Sequence, residues 1–157
     1  MSRHAKRNWE GAAQRKRQKG VVAVELALAA PILIAIAMGI AQFGWLLANS
    51  VMVASAASAA AQNFAFQRNT TTPYSSTQTQ MTSSSSWLKS QNLTLTTSVN
   101  GAQCSSDTSC ATALTSATGQ AATVTVSYTF TPLLRGSIFG IAAMPSTLST
   151  TEVERVQ

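Results

Sequence analysis

The residue with the most unusual setting in this sequence is Glu25, a carboxylate inside an apolar run. It is the only ionisable residue between Val21 and Leu47. A carboxylate at the centre of a membrane helix costs about 2.5 to 3.5 kcal/mol, and less near the interface. Either Glu25 lies shallow enough to reach water and has no further role, or it has a partner that offsets this cost.

Cys104 and Cys110 are the two cysteines of the chain and enclose a short polar loop. Their spacing differs from the C-x-x-C of redox and zinc sites, and no His follows to complete a metal-binding set. In an oxidising compartment outside the inner membrane, the pair is expected to form a structural disulfide. Closing so short a loop contributes roughly 2 to 2.5 kcal/mol in the chain-entropy model.

Residues that could perform catalysis are scarce. The only His is His4, and the acidic residues after the apolar run are Asp107, Glu152 and Glu154. These carboxylates are too scattered for an acid–base pair, and Ser without a base is not a nucleophile. No nucleophile elbow, glycine-rich phosphate loop or metal cluster is present in the sequence. We therefore predict a protein that is not an enzyme and has no catalytic residue, cofactor or metal site.

The formal net charge lies entirely in residues 1–20. Seven of the eleven Lys and Arg stand there against Glu10, which accounts for the net charge of +6 of the whole chain. The remainder offers too few basic residues for a duplex-binding surface, so no nucleic-acid partner is expected. Basic residues beside an apolar helix tend to stay in the cytoplasm, which sends the C-terminal side across the membrane. The sequence thus predicts a single-pass protein in the inner membrane, in contact with lipid, with a cytoplasmic leader over residues 1–20.

The apolar run from Val21 to Leu47 predicts a membrane-spanning helix. At about 1.5 Å per residue it spans about 40 Å, which exceeds the roughly 30 Å of bilayer hydrocarbon. The Ala-rich continuation favours a helix over residues 21–67, with an exported extension. The run is too long for the core of a cleavable secretory signal, although a secreted protein cut after Ala56 remains a third interpretation.

Three residues inside this helix could affect its shape or packing. Pro31 lacks an amide hydrogen, so it either kinks the helix or is simply tolerated there. Gly39 and Gly44 provide a low-profile surface that would let another helix approach closely. The alternative for these small residues is that they reflect helix propensity alone.

The exported region, residues 68–157, predicts short strands separated by loops. The Ser- and Thr-rich stretch from Asn69 to Ala122 is expected to be loop-heavy with short strands. Within it, Gln91 to Val99 alternates apolar and polar residues and is followed by Asn100-Gly101, the signal for a type I′ turn.

The clearest strand pattern runs from Thr123 to Thr131, where Pro132 ends it. A last short strand is expected from Thr147 to Val156. An antiparallel sheet packed on the exported half of the helix is the simplest architecture for these elements. The predicted fold class is therefore α+β, with a long N-terminal transmembrane helix followed by a small antiparallel sheet.

The N-terminal segment resembles a known processing site. Residues Lys16 to Glu25 resemble the site of type IV prepilins, in which a basic leader ends in Gly and the fifth residue of the apolar helix is Glu. More narrowly, Gly20 to Trp45 is similar to the start of TadE-like minor pilins (pseudopilins) of the tight-adherence, or Flp, pilus system. The matching features are Gly20, Glu25, Pro31 and the Gly39-Ile40-Ala41-Gln42-Phe43-Gly44 turn.

This resemblance implies a function and a set of partners. A prepilin peptidase would cut between Gly20 and Val21, and the new Val21 ammonium could pair with Glu25 of a neighbouring subunit. Gly39, Phe43 and Gly44 would then lie in a helix-packing segment. The implied partners are the peptidase, other pilins or pseudopilins and the inner-membrane assembly platform of a surface pilus used in adhesion. The implied fold is pilin-like.

The sequence also departs from the family pattern and leaves a second interpretation open. Family members often carry an acidic residue at the position of Gln42 and a basic one at that of Trp45, so a polar contact at that level is less well supported. The alternative function is an uncleaved single-span anchor that presents a small periplasmic binding domain.

Overall fold

The computed structural model describes residues 3–133 and 144–157, and the side chains of residues 21–133 and 144–157. The basic side chains of the predicted leader therefore lie outside the described part. The elements, in chain order, are α1 (Arg3–Ala65), α2 (Pro73–Ser84), a 3-10 turn (Ser90–Asn92), β1 (Leu93–Val99), β2 (Ala102–Cys104), α3 (Asp107–Thr115), β3 (Ala121–Thr129) and β4 (Thr147–Arg155).

The predicted fold class is confirmed. A long helix whose apolar part begins at Val21 is followed by a four-stranded antiparallel sheet of order β2-β1-β3-β4. By contact the chain forms two compact units, Met1–Phe43 and Gly44–Gln157. We call the second unit the exported domain, after the topology that the sequence predicts for it.

The N-terminal unit contains the apolar part of α1. Nearly all described side chains before Gln42 are exposed, including the large apolar residues Val21, Leu26, Ile32, Ile36 and Ile40. Within the described residues, this is the one helix long and apolar enough to cross a membrane. Lipid would supply the apolar surroundings that the chain itself does not, so the helix indicates single-pass membrane anchoring.

In the exported domain, α1 presents one apolar stripe to the core. The buried residues recur at helical spacing, as expected for one face of a helix; they are Val53, Ala56, Ala57, Ala60, Ala61 and Phe64. They belong to the same hydrophobic cluster as the inward side chains of β1 and β3, such as Leu95, Val124 and Val126. Because most of the stripe is Ala, the backbone of α1 can lie close to the sheet.

Strands β1 and β3 follow the predicted alternation. In β3, Ala122, Val124, Val126 and Tyr128 are buried while the Thr and Ser residues between them are partly exposed. β1 pairs antiparallel with β3 from Leu93 opposite Tyr128 to Val99 opposite Ala122.

The hairpin between β1 and β2 contains the predicted turn. Asn100 and Gly101 both have positive φ, 49° and 81°, as a type I′ turn requires. The partner strand β2 is only three residues long and pairs over Thr97 to Val99.

One prediction was wrong in part: the stretch from Asn69 to Ala122 contains two helices that we expected to be loop. α2 buries Pro73, Thr77 and Met81 on one face, a spacing of four that we did not recognise. Ser and Thr have modest helix propensity because their hydroxyls compete for backbone groups. Here several hydroxyls bond back to carbonyls of the preceding turn, as Thr77 Oγ1 does to the Pro73 carbonyl at 2.7 Å, so the helix tolerates them.

α3 was missed for a related reason. Its first turn is closed by a capping box, in which the Ser106 hydroxyl accepts from the Ser109 amide and the Ser109 hydroxyl accepts from the Ser106 amide. The usual signature has Glu or Gln at the second position, and a Ser there is easily overlooked. Its buried residues, Cys110 and Leu114, are four positions apart and face the core.

Candidate functional site

The predicted processing site lies inside a continuous helix. Gly20 and Val21 are both in α1, and Val21 is 65% exposed. A peptidase that needs an extended backbone would have to unwind α1 locally at this bond. Glycine favours such unwinding, because it is a poor helix former and tolerates many backbone conformations.

Glu25 lies about one turn beyond Val21 on α1. Its side chain is exposed, and its immediate neighbours Val24 and Leu26 are exposed apolar residues. The carboxylate is therefore accessible to a group outside the chain, with apolar surface on either side. Such surroundings strengthen an ion pair once a cation arrives, because the local dielectric constant is low.

Four further predicted residues lie along the same helix. Pro31 is inside α1, which continues through it without a break. Beyond the adjacent backbone of α1 itself, a methyl group added to Gly39 or Gly44 would meet no atom of the described residues within 4 Å, and Phe43 is exposed. These glycines are therefore not required by packing within the described chain, and a close contact with another molecule is what would make use of them.

Cys104 and Cys110 form the predicted disulfide. The bond joins the end of β2 to the middle of α3, and both sulfurs are buried. Thr97 lies beneath it: its hydroxyl donates to the Cys104 carbonyl at 2.7 Å and lies 3.4 and 3.5 Å from the two sulfurs. Thr97 lies on the buried face of β1, and its hydroxyl is satisfied by this contact.

Asp107 is a residue whose role the sequence did not reveal. It occupies the first turn of α3 and accepts the Ser75 amide hydrogen at 2.8 Å, while the Ser75 hydroxyl donates to its other oxygen. The bonds from Ser75 hold the pKa of the Asp107 carboxyl below its ordinary value. One carboxylate thus lies at the N-terminal turns of both α3 and α2, where helix dipoles favour negative charge.

The described residues provide little support for a catalytic or metal-binding function. Among residues 21–133 and 144–157, no group of three or more His, Cys, Asp or Glu side chains could hold a metal ion. Asp107 is engaged with Ser75, and Glu152 and Glu154 project from β4. The arrangement is that of a membrane-anchored α+β protein whose distinctive residues lie along one helix.

Comparison with known proteins finds a family match in the same helix, α1. Residues 20–62 match the family of TadE-like proteins, which confirms the predicted TadE-like resemblance. The match begins at Gly20, covers the apolar part of α1 and ends shortly before that helix does. Searches among curated proteins and among solved structures gave no match.

Proposed function

We propose that this protein is a minor pilin or pseudopilin that is matured by a prepilin peptidase and takes part in assembly of a tight-adherence pilus. The observation that carries the proposal is the extent of the TadE-like match. It starts at Gly20, so the basic leader lies outside it and the segment that would begin the mature protein lies inside it.

The first step of the proposed pathway is cleavage between Gly20 and Val21. The leader carries seven basic residues, and such a group is costly to pull through a bilayer. While it is present, the leader fixes the helix in the membrane with its N-terminus in the cytoplasm. Cleavage removes this charge and would allow the helix to be extracted into a fibre.

The second step uses the amine that cleavage creates. The new ammonium of Val21 and the carboxylate of Glu25 are about one helical turn apart on α1. In a fibre, Glu25 of one subunit would meet the Val21 ammonium of its neighbour. Pairing offsets the desolvation cost that either charge would carry alone in apolar surroundings.

The helix would supply the contact surface and the exported domain would extend from it. Gly39 and Gly44 have open space where a side chain would be, and Phe43 is exposed beside them. Neighbouring pilin helices would pack against this part of α1. The assembly platform of the inner membrane and the other pilins are the partners that this role requires.

The alternative function is an uncleaved single-span anchor that holds the exported domain in the periplasm for a binding partner. The anchoring helix fits this role equally well, because insertion into the bilayer requires only its length and apolar character. The two functions differ in whether residues 1–20 are present in the mature protein.

The test is the intact mass and N-terminal sequence of the protein purified from its host. The proposal expects a chain that begins at Val21. Gly20→Val should abolish cleavage, because a branched side chain at the scissile position would clash with the peptidase where glycine has no side chain. Gly11→Val is the matched control, since it changes a glycine of the same leader and should leave processing unchanged. An intact leader on the wild-type protein would overturn the proposal and favour the anchor.

A further inference from the structure

One end of the exported domain lies beside Trp45, the second residue of that domain. The indole Nε1 of Trp45 donates to the Thr131 carbonyl at 3.3 Å, just beyond the end of β3. At the same end of the sheet, β1 begins with Leu93 opposite Tyr128, and β4 begins with Thr147 opposite Thr129.

The other end of the sheet lies beside the end of α1. The Gln157 amide donates to the Ala65 carbonyl at 3.1 Å, and the Val156 amide donates to the Gln120 carbonyl at 3.0 Å. The exported part of α1 therefore runs along the sheet from Trp45 to Ala65. Because the apolar run ends at Leu47, the Trp45 end is the one that the chain joins directly to the membrane-spanning segment.

The connection that leads into the start of β1, and so toward this end of the sheet, carries an exposed aromatic residue. Trp87 is 87% exposed in the connection between α2 and β1. Leu133, two residues beyond the Trp45 contact, is 57% exposed, and Lys89 is exposed as well. We call Trp45, Trp87, Lys89 and Leu133 the membrane-proximal group.

Trp87 is held on a defined turn. The buried Ser85 hydroxyl donates to the Met81 carbonyl at 2.8 Å, and the Leu88 amide donates to the Ser85 carbonyl at 2.8 Å. Leu88 is itself part of the hydrophobic cluster. Since Ser85, two residues before it, and Leu88, directly after it, are both buried, the chain directs the indole of Trp87 outward.

We propose that Trp87, together with Leu133 and Lys89, lies in the interfacial region of the membrane on the exported side. Indoles favour this region, because the ring reaches apolar chains while its N–H stays among polar headgroups. A Lys nearby can meet lipid phosphate while its stem lies along apolar surface. The lipid surface is the occupant that chain connectivity supports, since the same end of the domain continues into the membrane-spanning run.

The experiment uses the full chain reconstituted into phosphatidylcholine vesicles with unlabelled or brominated acyl chains. Trp9→Phe and Trp45→Phe leave Trp87 as the only tryptophan, whose emission is excited selectively over that of the two tyrosines. The matched control also carries Trp87→Phe and places a single Trp at position 66 by Phe66→Trp. Phe66 is 68% exposed at the far end of α1. Circular dichroism and thermal unfolding of each variant check that the fold is retained.

The expected result is that Trp87 emits at shorter wavelength than the position-66 probe. Brominated lipid should quench Trp87 severalfold more strongly than that probe, and acrylamide should quench it less. Two outcomes overturn the proposal. Emission like that of the control would place Trp87 in water. Protection from acrylamide without quenching by bromine would place it against a protein surface such as a second copy.

The inference rests on membrane anchoring and not on cleavage. Failure of the chain to float with vesicles would contradict anchoring itself, whereas a solvated Trp87 in a floating chain contradicts this inference alone.

Discussion

Two carboxylates of this chain have contrasting surroundings. Asp107 receives two hydrogen bonds from Ser75 and holds two helices together. Glu25 is exposed between apolar side chains on α1. The first carboxylate is satisfied by the fold of the single chain, whereas the second is placed where a group from another molecule could satisfy it.

Replacing Glu25 separates insertion from assembly. Glu25→Ala should leave membrane insertion intact, because removing a carboxylate from an apolar helix makes insertion easier. Fibre assembly should fall severely, since the new ammonium of Val21 would lose its partner. Surface fibres and crosslinks to other pilins measure the effect. Leu28→Ala, at an exposed apolar residue farther along α1, is the control and should assemble normally. Normal assembly of Glu25→Ala would contradict the charge-pairing step.

Asp107 should make stability depend on pH. Because its folded-state pKa lies below the ordinary value of 3.8, its contribution to stability is present above that value. It is lost as the pH falls through the folded-state pKa. Asp107→Asn should lower the thermal midpoint at neutral pH and flatten its decrease in acid, measured by circular dichroism of the detergent-solubilised protein. Glu154→Gln, on the exposed part of β4, is the control. Parallel curves for Asp107→Asn and wild type would contradict the role of the Ser75 contact.

At the scale of elements, the disulfide and the alanine stripe of α1 bring the parts of the exported domain together. The Cys104–Cys110 bond ties α3 to the edge of the sheet. The stripe from Val53 to Phe64 lets α1 lie close against the sheet's inner face. Both features depend on small or compact side chains, so they are sensitive to added volume.

Enlarging one alanine of the stripe tests this packing. Ala60 is fully buried, and Ala60→Leu should destabilise the exported domain by about 1 to 3 kcal/mol because no space is left for the added atoms. Ala48→Leu makes the same change at an exposed position of α1 and should leave stability nearly unchanged. Thermal or denaturant unfolding gives the comparison. Equal stability of the two variants would show that α1 does not pack on the sheet as described.

At the scale of the whole molecule, the charge distribution is expected to determine orientation. Replacing the seven basic residues of the leader by Gln should scramble insertion, because positive charge retains the N-terminus in the cytoplasm. A C-terminal epitope tag should then become partly resistant to protease in spheroplasts, whereas in wild type it should be fully accessible. Arg68→Gln, on the exported side, is the control. An unchanged orientation after neutralising the leader would contradict the role of its charge.

The elements that could be predicted were those set by local pattern. The apolar run, the alternation of β3 and the Asn100-Gly101 turn each predict their structure, because period and turn chemistry act over a few residues. The disulfide was also predictable, since the chain offers a single pairing. α2 and α3 were not, because their Ser and Thr content argues against a helix, and the contacts that stabilise them come from residues distant in sequence.

The sequence by itself determined the membrane segment, the position of the TadE-like motif and the α+β fold class, because hydrophobic length, charge asymmetry and strand alternation are local properties. Only the tertiary structure decided which side chains join distant parts of the chain by hydrogen bonds. Asp107 reaches Ser75 across 32 positions, and Trp45 reaches Thr131 across 86. Such contacts depend on how the chain returns on itself, which no local pattern specifies.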